Sequence, residues 1–232
     1  VFGVAWPALR AELRVPLEVG GAVALVGGVC SVASSVASGW LLHHVGTARV
    51  VVVSFALTGG ALVGIALVPS TPVLLCLMVP LGCGAGAVDT ALNHFVAHHY
   101  SSRQMSWLHC AWGLGATLGP ASLSWCLASS AGWRSGYGLL AAAQLGLLAF
   151  LTATRGLFPR EASAEVSAAP GQVLVLGAGL APWLGVGAFA AYTGAEAAVG
   201  LWAASLLVES RGASLSAAGM SVAVYYGAIT GG

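Results

Sequence analysis

Two carboxylates stand where a carboxylate is costly. Asp89 lies in Gly82-Cys-Gly-Ala-Gly-Ala-Val-Asp-Thr-Ala-Leu-Asn93 and Glu196 in Tyr192-Thr-Gly-Ala-Glu-Ala-Ala-Val-Gly-Leu-Trp202, each within a long apolar run. Holding a charged side chain at the centre of a bilayer costs on the order of 3 kcal/mol, so such acids face a bundle interior or a water-filled cavity and mark ion or solute handling by default. The competing reading is an acid that locks two helices together through one interhelical hydrogen bond. Asn93 follows Asp89 by one helical turn and can donate to it, and Tyr192 precedes Glu196 by the same spacing. Carboxyl groups in dry surroundings exchange protons near neutral pH, which makes either acid a candidate coupling group.

Other polar residues carry weaker signals. His94 and His98 share a helix face, but a metal site needs a third ligand and a supporting shell that the sequence does not supply, so no metal and no cofactor is expected. His109, in Trp107-Leu-His-Cys-Ala-Trp112, falls in the first turn or so of an expected span, where an imidazole can titrate; a packing histidine is the alternative. Cys30, Cys76, Cys83, Cys110 and Cys126 lie in apolar blocks without metal spacing and read as small packing residues. The tryptophans, Trp202 among them, divide between interfacial anchors and stacking platforms for a sugar-like ligand. Gly113-Leu-Gly-Ala-Thr-Leu-Gly-Pro120 places Gly115 and Gly119 on one small-residue face ahead of Pro120, a packing seam or a hinge, and Gly60 with Gly64 makes a second pair.

The elements that must position these residues follow from composition. The 232 residues are 58% hydrophobic and 6% charged, too few charges for a water-facing surface. Apolar blocks long enough to cross about 30 Å of hydrocarbon predict an all-α, multi-pass membrane protein with the lipid bilayer as its surroundings. A net charge of +1 without a basic stripe excludes nucleic-acid binding. Paired catalytic aspartates, a Ser-His pairing motif and HExxH are missing from the sequence, so no enzymatic role is expected.

The expected spans are Val1 to Leu9, Val19 to Leu42, Val50 to Val68, Val73 to Val96, Trp107 to Ala128, Gly136 to Ala153, Trp183 to Val208 and Ala217 to Gly232. Loops are expected at His43 to Arg49 and at His98 to Ser106. The stretch Arg155 to Gly171 gathers charges, prolines and small residues and reads as a linker. Three segments result: residues 1–154 as a six-helix half with a truncated first helix, 155–172 as a linker, and 173–232 as the start of a second half. The chain reads as a fragment, beginning with Val1 inside a helix. Basic residues divide four against four across the membrane, so charge alone sets no orientation.

Gly3-Val-Ala-Trp-Pro-Ala-Leu-Arg10, Gly86-Ala-Val-Asp-Thr-Ala-Leu-Asn93, Trp107-Leu-His109 with the glycines up to Pro120, and Tyr192-Thr-Gly-Ala-Glu196 with Trp202 resemble the major facilitator superfamily in order and spacing. The resemblance is to its fucose-permease-like and sodium-glucose-transporter-like branch. It implies helices one to eight of twelve, a cytoplasmic linker, a monomer in the plasma membrane (the inner membrane if bacterial), and a cavity bordered by helices one, four and seven. It also implies a symporter that moves a small polar solute such as a sugar, coupled to a proton or sodium ion, with Asp89, Asn93, His109, Tyr192, Glu196 and Trp202 as coupling or substrate groups. The loop between helices two and three departs from the superfamily pattern: Gly39, Leu41 and Gly46 hold, but His43, His44 and Thr47 replace its charged latch. Gly115, Gly119 and Pro120 resemble part of the fifth-helix motif of proton-coupled drug antiporters, so efflux of amphipathic compounds stays open beside uptake.

Overall fold

The computed structural model describes residues 1–129, 131–154 and 180–231. Among these, every regular element is an α-helix: α1 (Phe2–Leu13), α2 (Val19–Val45), α3 (Thr47–Ala66), α4 (Thr71–His99), α5 (Ser102–Ala128), α6 (Gly132–Thr154), α7 (Ala181–Arg211) and α8 (Leu215–Gly231). The expected linker falls outside the described residues. Five helices, α2, α3, α4, α6 and α7, are long and apolar enough to cross a membrane. The 27-residue α5 falls short, since its opening turns are polar and glycines, serines and Pro120 dilute the remainder, while α1 and α8 are shorter, with 12 and 17 residues.

Local chemistry sets the ends. Gly46, with φ of 84°, holds a backbone conformation that L side chains resist, and it lets α3 start immediately after α2. The expected loop there is therefore much shorter, and His43 and His44 occupy the last turn of α2. The loop expected from His98 to Ser106 likewise shrinks to Tyr100 and Ser101, because Ser101 and Gln104 form a capping box that starts α5 at Ser102. His109 consequently sits two turns into α5 rather than in its first turn. Pro72 lies in the first turn of α4, where its missing N–H is harmless.

Small residues decide which helices touch. A Cβ at Gly82 would strike the backbone of Gly27, and one at Gly86 the carbonyl of Ser31, so α4 lies close against α2. The Ser34 hydroxyl donates to the Cys83 carbonyl (2.6 Å) and the Ser35 hydroxyl to that of Gly86 (3.1 Å), fastening the seam with hydrogen bonds. Gly84 faces the other way, against Ser54 and Thr58 of α3. Gln144 of α6 donates to Thr58 (2.7 Å), extending this side of the bundle. In the Gly60–Gly64 pair, among the described residues, Gly64 meets Leu77 and Gly60 meets no neighbour. Along α2, Leu25, Val29, Val32, Val36 and Trp40 form an exposed apolar stripe, a surface suited to lipid rather than water.

The buried core is uneven along the bundle. Its larger cluster draws on all eight helices, through Trp6, Val23, Ile65, Leu74, Leu123, Trp133, Ala204 and Val222 among others. It sits at the end where α1 and α7 finish and α4 begins. The second cluster, around Leu42, Val50, Val51, Ala87 and Ala91, belongs to α2, α3 and α4 alone.

At the well-packed end Arg134 forms a clasp. Its guanidinium donates to the Glu12 carboxylate from Nε (3.2 Å) and Nη2 (2.7 Å), and to the carbonyls of Ala66 and Val68 (both 2.9 Å) at the end of α3. The Trp133 indole donates to the second Glu12 oxygen (2.8 Å), and Arg134 lies over the Trp133 ring. Three elements thus meet on one side chain. Hydrogen bonding from Arg134 holds the Glu12 carboxyl below its ordinary value of 4.5. A depressed carboxyl contributes stability that is complete above the unfolded value and disappears as pH falls through the folded one. Thermal melting of the purified protein should therefore be flat from neutral pH to about pH 5 and fall in more acidic buffer, and Glu12→Gln should flatten that fall. An identical acid profile in the Gln variant would show that the clasp does not carry the dependence.

Candidate functional site: a cleft between α1, α2, α4 and α7

A cleft of about 360 Å³ opens between four helices, lined by Val1, by Phe2 and Gly3 of α1, by Ala24, Gly27, Gly28 and Ser31 of α2, by Met78, Leu81, Gly82 and Ala85 of α4, and by Gly200 and Leu201 of α7. Its walls are small because the helices approach closely there: Gly3 leaves room for the backbone of Leu201, and Gly27 for the side chain of Met78. Ser31 supplies the hydroxyl in an otherwise apolar lining.

The two acids extend these walls. Asp89 lies four residues beyond Ala85 on α4, and Glu196 four residues before Gly200 on α7, so each is one turn, about 5.4 Å, from a lining residue on the same helix stripe. Because α4 descends from the well-packed end and α7 rises towards it, both displacements lead the same way, towards the open end. Both acids therefore lie beyond the cleft lining towards the same end of the bundle. Neither is itself part of the lining.

Each acid is met by neutral donors. The Asn93 amide donates to Asp89 Oδ1 (3.1 Å) and to the Asp89 carbonyl (2.9 Å), as the one-turn spacing requires. Asp89 is exposed and Asn93 half-buried. The Tyr192 phenol lies close to the half-buried Glu196, and Tyr225 and Tyr226 of α8 complete a group of phenols near that carboxyl. The Tyr226 hydroxyl occupies the notch that Gly200 leaves on α7; a Cβ at Gly200 would collide with it. The rings of Tyr225 and Tyr226 pack edge to face at 5.3 Å. The sequence reading missed both tyrosines, since nothing in their own neighbourhood on α8 points to α7.

The remaining candidates scatter. Trp202 is half-buried and reaches α2, its ring in contact range of Gly21. His109 is exposed and outside the cleft lining. On α5, Gly119 and Pro120 are buried, with the Ser124 hydroxyl donating to the Pro120 carbonyl (2.7 Å), whereas Gly115 faces open space among the described residues. The α5–α8 seam instead uses Gly113 against Thr230 and Gly219 against Ser124. Gly39 also faces open space, while Gly46 makes the tight α2–α3 turn. His94 and His98 stack at 4.1 Å, but no group of three metal-ligating side chains gathers among the described residues.

A scan of protein families matches the Major Facilitator Superfamily over residues 1–232. The chain belongs to the major facilitator superfamily. Searches of curated proteins and of solved structures give no match. Membership makes this a secondary membrane transporter, and the all-helical bundle with several spanning helices fits the superfamily's fold. Major facilitator proteins generally bind small solutes and lie in a lipid bilayer.

Proposed function

We propose that this major facilitator protein is a symporter for a small, hydroxyl-rich solute of sugar type, driven by a proton or sodium gradient, with Asp89 and Glu196 as the coupling or binding groups of its two halves. On this reading α1 to α6 form one half, residues 155–172 the cytoplasmic linker, and α7 and α8 the start of the second. The open end faces the cytoplasm of a cell whose plasma membrane holds the protein as a monomer. The supporting observation is the placement of the two acids, one turn from the cleft wall on α4 and one turn from it on α7, both displaced towards the same end of the bundle. Their neighbours favour a hydroxylated solute: one carboxylate bonded by an amide and one with phenols close by offer alternating acceptors and donors, the pattern that sugar hydroxyls satisfy.

Alternating access then requires the cleft to open to each face in turn, with solute and ion bound together across both halves. Coupling requires that the empty carboxyls resist the change of face and the occupied ones permit it, since a ligand shifts a conformational equilibrium only through its differential affinity. The apolar lining of the cleft favours a second reading, proton-coupled efflux of amphipathic compounds. The deciding experiment reconstitutes the full-length protein in proteoliposomes and screens labelled sugars and hydrophobic cations under imposed pH and sodium gradients. Sugar accumulation with the gradient supports the first reading, and counterflow of cations against a proton gradient replaces it.

Tyr226 supplies a sharper local test. Tyr226→Phe and Gly200→Ala should produce the same defect, the first by deleting the hydroxyl and the second by displacing it. One lost hydrogen bond of about 1 kcal/mol predicts a KM raised about fivefold in either variant. Equal KM values for parent and both variants would remove the phenol from the site.

A further inference from the structure

The last turns of α1 carry two charged residues with opposite assignments. Glu12 points to α6 and α3, where Arg134 and Trp133 fix it with three hydrogen bonds. Arg10, two residues earlier, points to the other side of the helix, as a spacing of two dictates. There it pairs with Glu209, in the last turn of α7, through one guanidinium nitrogen. The two kinds of fastening differ in strength. Arg134 places two donors on one oxygen of its carboxylate and caps two helix-end carbonyls as well. Among the described residues Arg10 makes a single hydrogen bond, and its buried Nε finds no partner there. Both partners of the Arg10 pair are partly exposed, with 27% and 36% of the side-chain surface open to solvent. Rehydration therefore compensates much of what the pair loses when it parts.

The pair spans the boundary that alternating access must open. Below it, Ala204 and Ser205 are buried, and lower still Gly3 rests against the backbone of Gly200 and Leu201, so α1 and α7 pack closely over the cleft. Because Glu12 ties α1 to α6 and to the end of α3, a displacement of α7 against Arg10 is felt by the whole six-helix unit.

We propose that Arg10–Glu209 is a separable ion-pair latch that holds the outer face closed, while Glu12–Arg134 is a permanent clasp within the first half. The proposal rests on the reading of α1–α6 and α7–α8 as moving halves. Opening the outer face exposes Ala204, which is 1% exposed here. The test therefore uses the full-length protein with its native cysteines replaced and Ala204→Cys as reporter, and measures the rate of labelling by a membrane-impermeant maleimide added from outside. Glu209→Gln and Arg10→Gln should each raise the rate about fivefold, equivalent to about 1 kcal/mol in favour of the open face, and the exchange Arg10→Glu with Glu209→Arg should return it towards the parent value. An unchanged rate in both single variants overturns the latch. Faster labelling that the exchanged pair fails to reverse overturns it too, since the effect would then come from packing. A Glu209→Gln variant that fails to accumulate in the membrane would make the pair a permanent fastening, again against the proposal. Gradient-driven solute uptake by the unmodified protein separates a failed latch from a failed reading of the halves.

Discussion

Asp89→Asn is expected to insert and fold like the parent and to lose gradient-driven accumulation, so that the internal solute concentration stops at the external one. The substitution keeps the volume and preserves a hydrogen bond with Asn93, whose amide now sits 3.1 Å from a carboxylate oxygen. It deletes only the charge and the capacity to titrate. A group that couples an ion to a solute can lose that capacity and still allow exchange of solute across the membrane, because exchange needs the conformational change of the loaded carrier alone. Uptake into proteoliposomes and counterflow should therefore separate, the first lost and the second retained. Full accumulation by the Asn variant would remove Asp89 from the coupling role and return it to the reading of a carboxyl that orders its own helix.

The second large effect concerns stability. Arg134→Ala should lower the melting temperature of the purified protein and its yield in the membrane, since it strips two hydrogen bonds from Glu12 and uncovers the Ala66 and Val68 carbonyls. Charge-assisted hydrogen bonds contribute about 1.5–3 kcal/mol each when buried, and discounting for partial exposure leaves a loss of about 2–4 kcal/mol for the whole clasp. Arg134→Lys should recover only a part. A lysine restores the positive charge but cannot reach a carboxylate and two carbonyls at once in a planar fork. Melting curves for the three proteins should rank Arg, Lys, Ala; a lysine variant as stable as the parent would show that charge alone matters at this position.

What the sequence disclosed follows from range. The pairs Asp89–Asn93 and Tyr192–Glu196 are four residues apart, and helix geometry brings such pairs together whatever the rest of the bundle does. The α2–α4 seam was half legible: Gly82, Gly84 and Gly86 announce close helix approach, but their alternation between α2 and α3 depends on three helices at once. Helix ends were read less well. The capping box at Ser101 and the positive φ at Gly46 convert expected loops into short junctions, which moved His109 deeper into α5. The clasp and the latch were not legible. Glu12 and Arg134 are 122 positions apart and Arg10 and Glu209 are 199 apart, and the sequence presents all four as ordinary loop-proximal charges. Their pairing depends on which helix ends the bundle brings together, as does the arrival of Tyr226 in the notch at Gly200.

On the proposed reading α4 and α7 face each other across one water-filled cavity, with both acids at the same end of it. Ala85→Cys with Leu201→Cys, two residues of the cleft lining, tests this in the full-length protein freed of its native cysteines. Both positions should react with a membrane-impermeant maleimide supplied from the cytoplasmic face, and a short bifunctional maleimide should join them and arrest transport. If either cysteine is inert to that reagent, or if both react and no cross-link forms, α4 and α7 do not border a common cavity and the two carboxyls do not share one.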